Sequence, residues 1–345
     1  MRRGAALFIA FLYVAAGAAW SGVTVTLHEF SDFPGWESDD HTEALRAFNA
    51  SCGLVNDLEM EKLCAVSQSG PDARAFFESF FKPVRIENGE PPLFAGYYEP
   101  ELFGSRTKTN RFRFPIYSKP PEVKEGRLWK TRAAIETRCV LSGRGLEIAY
   151  LDDPVDLMFL QIQGSGRIRL TDGSTLRLGY SASSGHHYRS IGQELVRRGI
   201  LNQHQASAAV IKNWVKNNPQ AGRRLLHHNT NYVFFREIQK LSPSKGPVGA
   251  MTVPLSELRS VAVDPKFIPL GSPVWVDKSG QFPLRRMAIA QDTGSKIKGA
   301  QRIDVFYGTG KDAGSLAAQI KDTGVVYVLL PVARALRLVH VGLER

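Results

Sequence analysis

Stretches of helical and strand-like hydrophobic spacing follow one another along the chain, and their order sets the first expectation. "HTEALRAFNASC", "DLEMEKLCAVSQ" and "DARAFFESFFKPV", between His41 and Val84, repeat apolar residues every three to four positions, which predicts short helices. Acidic residues near their starts, Asp72 among them, and Gly and Pro punctuation mark the ends. From "PPLFAGYYEPELFGS" onward the runs shorten and are broken by Gly and Pro, as strands are. "LMFLQIQGSGRIRLTDGSTLRLGY", from Leu157 to Tyr180, reads as two alternating segments around Asp172-Gly173, hence a β-hairpin. "HHYRSIGQELVRRG" and "QASAAVIKNWVKNNP" return to helical spacing, with Gly199 and Pro219 as stops. After Gly246 the strand-like runs are "LRSVAVDP", "SPVWVD", "RRMAIAQDTG", "QRIDVFYG" and "VVYVLLPV", interrupted by one helix over "KDAGSLAAQIK". This order predicts a mixed α+β chain, mainly β, built on small barrels rather than on the βαβ alternation of dinucleotide-binding folds.

Composition narrows the partner class. Hydrophobic content of 43% and charged content of 22% are those of a globular protein, and 345 residues suffice for one large or two ordinary domains. The formal charge of +11 favours an acidic partner such as nucleic acid, anionic lipid or a carboxylate-rich polymer. Lys and Arg are scattered without a dense basic run, which argues against nucleic acid. "MRRGAALFIAFLYVAAGAAWSG" has the basic start, apolar run and small-residue end of a secretory signal, expected over residues 1–20. An exported chain can form disulfides. Cys52 and Cys64 are the pair closest in sequence and the candidate bridge, with Cys139 left over.

The candidate chemistry reduces to carboxylates. Histidines occur as adjacent pairs, His186-His187 and His227-His228, or singly, and adjacent side chains diverge, so no metal site is expected. "QGSG" and "YGTG" lack the strand and helix context of a phosphate-binding loop, and no triad partner is spaced around Ser165. Asp264 in "VAVDPKFIPLG", Asp292 in "AQDTG" and Asp304 in "RIDVF" remain, in successive strand-turn segments. Asp264 and Asp292 are placed as turn residues. Asp304 interrupts an apolar run, so that alternation sends Ile303 and Val305 to one face and Asp304 with Phe306 to the other. Apolar surroundings raise a carboxyl pKa, which suits a general acid. Pattern alone does not separate that role from a satisfied structural carboxylate.

"GYYEP", "LQIQGSG", "GHHYRSIGQELVRRG", "SVAVDPKFIPLGSPVWVD" and "AQDTGSKIKGAQRIDVFYGTG" together resemble the membrane-bound lytic murein transglycosylase A (MltA) family, from about Pro92 to Leu330. The resemblance implies a double-psi β-barrel, the three-aspartate or 3D domain, formed by residues 21–102 and 241–345. A second β-rich domain over 103–240 would be inserted into it, with a groove for glycan between the two. It also implies cleavage of the MurNAc–GlcNAc bond of peptidoglycan with a 1,6-anhydromuramoyl product, in the periplasm and without a cofactor. Asp304 matches the family's acid, and Asp264 and Asp292 the supporting aspartates. Tyr97 and Tyr98 are candidates to stack on sugars, with Tyr188 able to stack or hydrogen-bond. Gln161, Gln163 and Ser165 are candidates to bind hydroxyl or N-acetyl groups, and Lys296, Lys298 and Arg302 to attract carboxylates. Cell-wall synthesis proteins are candidate further partners. The family's lipid-bearing cysteine is missing after the apolar run, where the first cysteine is Cys52, so attachment to the outer membrane is left open. Two other readings stay in view: a hydrolase using Asp292 and Asp304 as a pair, and a wall-binding protein without catalysis.

Overall fold

The computed structural model describes residues 22–202 and 205–343, so the expected signal segment lies outside the described residues. The chain lays β1 (Thr24–Leu27), β2 (Phe81–Glu87) and β3 (Leu93–Glu99) into a large sheet. It then leaves to build a second sheet from β4 (Glu101–Ser105), β5 (Phe114–Tyr117), β6 (Glu147–Leu151), β7 (Gly166–Leu170), β8 (Thr175–Ser183) and β9 (Val233–Glu237). It returns with β10 (Ser260–Val263), β11 (Pro273–Lys278), β12 (Leu284–Thr293), β13 (Arg302–Thr309), β14 (Lys321–Asp322) and β15 (Gly324–Pro331). The helices are α1 (His41–Ser51), α2 (Leu58–Gln68), α3 (Ala73–Phe80), α4 (Arg132–Thr137), α5 (Pro154–Gln163), α6 (Ile191–Arg197), α7 (Ala208–Asn217), α8 (Pro219–Leu226), α9 (Lys311–Ala317) and α10 (Val332–Leu343).

The large sheet has nine strands in the order β1-β2-β15-β11-β12-β10-β13-β3-β14. Val84, Phe94, Val261, Val263, Val274, Ala290, Ile303, Val305 and Val328, from strands across this sheet, meet in one buried cluster. A sheet whose inner residues share a single core must curl around it, and the result is a near-barrel. On its other face Trp275, Met287 and Ile289 pack against α1–α3, beside the disulfide that joins Cys52 to Cys64. Each of those helices starts as its sequence directs: the side chains of Asp40, Asp57 and Asp72 accept backbone N–H groups of the first turn.

The second sheet has six strands, β5-β6-β4-β7-β8-β9, and an isolated bridge between Ser118 and Phe235 draws its two edges together. The hairpin expected at Asp172-Gly173 is present as β7 and β8. The segment before it departs from expectation, because Leu157–Gln163 is not a strand but the body of α5. Asp153 caps that helix by accepting from the Val155 N–H at 2.7 Å, Pro154 opens its first turn, and Gly164 closes it at a positive φ. Pro219 ends α7 as expected and then starts α8, whose first turn tolerates its missing N–H.

The two sheets are tied at the end of β3. Glu99 is 1% exposed and receives Arg167 at 2.8 Å, Arg177 at 3.0 Å and the Thr309 hydroxyl at 2.9 Å. The same guanidinium groups donate to the carbonyls of Pro243, Lys245, Ser242 and Gly246, so one buried carboxylate organises both crossings of the chain between the sheets. No helix among the described residues is long and apolar enough to cross a membrane.

Candidate active site

Asp304 lies near the middle of the large sheet. Its strand pairs with β10, where Asp304 stands opposite Ala262, and with β3, where it stands opposite Ala95. Ile303 and Val305 are fully buried in the barrel, which leaves Asp304 and Phe306 on the outer face as alternation predicted. Both facing residues are alanines, so the carboxyl sits in a shallow hollow of the sheet. Its side chain is 18% exposed.

Asp292 reaches the same face through an irregularity. Along β12, Ala288 and Ala290 point into the barrel and Met287 and Ile289 towards the helices. Strict alternation would send Asp292 inward. Between Val261 and Ala262 the register against β10 slips by one residue, so that Ala290 faces Val261 and Asp292 faces Ala262. Such a bulge turns the strand and re-aims the side chains beyond it. Gln291, the residue skipped, is buried and fastened to the Ala47 carbonyl and the Ser51 hydroxyl of α1, each at 2.8 Å, and to the Ser260 hydroxyl at 2.6 Å. Asp292, Ala262 and Asp304 thus form one row across three strands. Neighbouring strands lie about 4.8 Å apart, which puts the two aspartate strands about 10 Å apart with only a methyl group between.

Tyr97 completes the group. On β3 it stands opposite Phe306, their ring centroids 5.4 Å apart, and its hydroxyl is buried on the Asp292 side while part of the ring stays accessible. The segment over residues 246–255 roofs this corner. Its Ala250 N–H donates to Asp292 Oδ1 at 2.9 Å, and Gly246 lies so close to the Leu255 carbonyl that a Cβ would collide with it and crowd the Phe306 ring.

The two carboxyls are held differently. Asp292 Oδ1 accepts the N–H groups of Ala250 and Thr293, each at 2.9 Å, which favours its charged form against the burial that raises its pKa. Asp304 receives no aligned hydrogen bond on Oδ1, although Arg302 Nη2 stands 2.6 Å away. Burial pushes the Asp304 pKa up to about 6, with Arg302 opposing and the charge of Asp292 adding to the rise. Burial raises both carboxyls, and they differ in their partners: Asp292 Oδ1 is engaged by two N–H groups and Asp304 Oδ1 by none.

The other expected residues are distributed more widely. Asp264 is buried at a turn, where it accepts the Gly299 N–H at 3.0 Å and the Lys266 N–H at 3.3 Å. Lys298 lies 3.9 Å from it with a side chain 60% exposed, and Lys296 is exposed. Tyr98 faces away from Tyr97, against Gly314 of α9, and its backbone N–H donates to the Gln163 side chain at 3.3 Å. Ser165 follows α5 and is buried, and Tyr188 precedes α6 with its hydroxyl towards Ser190. Gln161, expected to bind hydroxyl or N-acetyl groups, has its polar atoms engaged within the protein. It is buried inside the second unit, accepting from Arg132 and donating to the Val233 carbonyl at 3.1 Å. The bulge at Gln291, the pairing of Arg302 with Asp304 and the buried Glu99 were not foreseen. An open hollow of about 750 Å³ beside Arg106, Lys119, Glu147 and Arg236 in the second unit contains none of the expected site residues. Among the described residues no group of His, Cys, Asp and Glu is arranged to hold a metal ion.

Comparison with known proteins relates the chain to a family. Two family models match the chain, the MltA specific insert domain over residues 93–236 and the 3D domain over residues 259–330. Membrane-bound lytic murein transglycosylase A of Escherichia coli is 37% identical over 247 residues, which cover 68% of this chain and 65% of that protein. The crystal structure of MltA from Neisseria gonorrhoeae is 34% identical with a TM-score of 0.78, covering 91% of this chain and 94% of the other. That of E. coli MltA with bound chitohexaose is 29% identical with a TM-score of 0.68, covering 85% and 89%.

Proposed function

The chain belongs to the membrane-bound lytic murein transglycosylase A family, and on that premise we propose that it is a peptidoglycan lytic transglycosylase with Asp304 as its single acid and base. The bond cleaved is the β-1,4 link between MurNAc and GlcNAc, and the product carries a 1,6-anhydromuramoyl end. The observation that carries this reading is the asymmetry of the two carboxyls. Asp304, lifted to about 6 and without an aligned donor on Oδ1, keeps a proton to give, whereas Asp292 is engaged by two N–H groups.

A hydrolase needs a second carboxylate, as nucleophile or as the base that activates water. A lytic transglycosylase does not, because the muramoyl C6 hydroxyl is the nucleophile. Protonated Asp304 donates to the glycosidic oxygen as the C1–O bond breaks, and positive charge develops at C1 and the ring oxygen. The Asp304 carboxylate then takes the proton of the C6 hydroxyl while O6 bonds to C1, which restores the starting acid. The attack is intramolecular and gains the corresponding effective molarity. Arg302, beside the carboxylate, stabilises it in the interval between the two transfers. The mechanism calls on no cofactor.

We place the glycan site between the two sheets, taking the barrel as 21–102 with 241–345 and the insert as 103–240. Chitohexaose, bound by the E. coli relative, is itself a β-1,4-linked amino-sugar chain, which supports a glycan there. The accessible part of the Tyr97 ring suits a sugar face, the half-buried Gln163 and Tyr188 of the second unit are further candidates to contact the glycan, and exposed Lys298 attracts stem-peptide carboxylates. Relatives named as membrane-bound support an exported enzyme of the envelope, acting in the periplasm.

Mass spectrometry of digested murein tests the reaction. Anhydromuramoyl ends, lighter by one water than reducing ends, are expected with the purified protein and are lost in Asp304→Asn. Reducing ends alone would establish the two-carboxylate hydrolase, and wall binding without any cleavage would establish a non-catalytic role.

A further inference from the structure

We propose that Tyr97 is a positioning residue, whose hydroxyl donates to Asp292 and holds it as a carboxylate, so that Asp304 works beside a fixed negative charge. The inference rests on the reading of Asp304 as the acid and assigns a source for its proton-holding state.

The geometry is that of a relay across four strands. Asp292 on β12, Ala262 on β10 and Asp304 on β13 share a row on the outer face, and Tyr97 on β3 extends over the same face from beside Phe306. The Tyr97 hydroxyl is buried and finds no aligned hydrogen-bond acceptor among the described residues, while the Asp292 carboxylate is the polar group it faces. A phenol is a donor at any pH near neutrality, and a buried one gains most by donating to an anion. Asp292 already accepts two backbone N–H groups on Oδ1, and a third donor adds to them in favouring the ionised form against the burial that raises its pKa.

The charged and titratable groups bearing on Asp304 can be named. Arg302 comes from its own strand, Asp292 from β12 and Tyr97 from β3, while β10 and β3 oppose it with Ala262 and Ala95. A negative charge at Asp292 disfavours a second one at Asp304, the like-charge effect that keeps one carboxyl of a pair protonated. Phenol burial and the proximity of both carboxylates raise the Tyr97 pKa, so the hydroxyl keeps its proton throughout.

The test is the pH profile of kcat/KM for anhydromuramoyl release, measured for the wild type, Tyr97→Phe, Asp292→Asn and the double variant. Tyr97→Phe keeps the ring and its contact with Phe306. With the donor gone, Asp292 holds its proton to higher pH and Asp304 loses part of its like-charge neighbour. The alkaline limb should then move to lower pH by about half to one unit. Asp292→Asn should move it the same way, and adding Tyr97→Phe to that variant should move it no further. An alkaline limb that stays in place or rises in Tyr97→Phe overturns the proposal. So does an equal shift on the Asp292→Asn background, which would make Tyr97 act on Asp304 directly. A change in kcat or KM without a pH shift marks Tyr97 as a packing or sugar-stacking residue, and that outcome also overturns it. If instead Asp304→Asn retains full activity, the assignment of the acid has failed, a result these four profiles do not mimic.

Discussion

Arg302 and Asp304 sit two residues apart on one strand, on the same face, with Nη2 2.6 Å from Oδ1 but no hydrogen-bond alignment between them. The guanidinium is turned partly to the Leu93 carbonyl, to which its Nη1 donates at 3.2 Å. The contact lowers the Asp304 pKa without tying the carboxyl down, and burial outweighs it. With Asp304 proposed as the acid, kcat/KM is expected to fall as pH rises through about 6. In Arg302→Gln the counter-charge is gone, the acid form persists further, and the alkaline limb should rise by about one pH unit. A limb that falls would contradict this account of the contact.

Asp304→Asn carries a stability prediction as well as a catalytic one. The folded state raises this carboxyl from 3.8 to about 6, so it binds a proton more tightly than the unfolded chain does. Stability contributed by the protonated form is therefore present at pH below about 4 and is lost as pH rises towards 6. An amide has no charge to bury. Asp304→Asn should be more stable than the wild type by up to about 2–3 kcal/mol at pH 7, and nearly equal at pH 4. Its anhydromuramoyl-forming activity should drop by at least about a hundredfold. Thermal unfolding at the two pH values, alongside the product assay, checks both halves.

Glu99 is the carboxylate on which the two sheets depend. Removing it in Glu99→Ala leaves Arg177, which is 7% exposed, and most of Arg167 without a counter-charge. Loss of one partner of a buried pair costs about 3–5 kcal/mol. Urea unfolding should show that loss, and limited proteolysis should open first within residues 240–246, whose carbonyls those guanidiniums hold. Unchanged protection of that segment would show that the crossings are held by something else.

Gln291 supports the bulge from behind. Its amide is buried, donates to Ala47 and Ser51, and accepts from Ser260. Gln291→Leu would bury a near-isosteric apolar chain and leave those partners unsatisfied, at about 2–3 kcal/mol. Because the bulge also aims Asp292, the variant should shift the pH profile in the same direction as Asp292→Asn. Lost stability with an unmoved profile would separate the packing of Gln291 from the aim of its neighbour.

Features of short range could be read directly along the chain. Alternation in "RIDVF" placed Asp304 opposite in face to Ile303 and Val305, because side chains of a strand reverse at each residue. The hairpin at Asp172-Gly173, the helices capped by Asp40, Asp57 and Asp72, and the helix after Gly310 arise from local backbone preferences in the same way. The helical α5 is the exception, since its largely apolar ten residues satisfy both periods and only the Asp153-Pro154 start and the Gly164 stop favour the helix. The family resemblance supplied what spacing could not, a reason to propose Asp304 among the three aspartates as the acid.

The remainder depended on strands far apart in sequence. No local pattern announces that β10 falls between β12 and β13, that Tyr97 arrives beside Phe306, or that a one-residue slip turns Asp292 outward. Nor does it announce that Glu99 will meet two arginines about seventy positions away. Face and turn are set by neighbouring peptides, so the sequence alone determined which way Asp304 looks. Register and burial arise only when distant strands pair around a common core, and it is these that give Asp304 its raised pKa and Asp292 its place beside it.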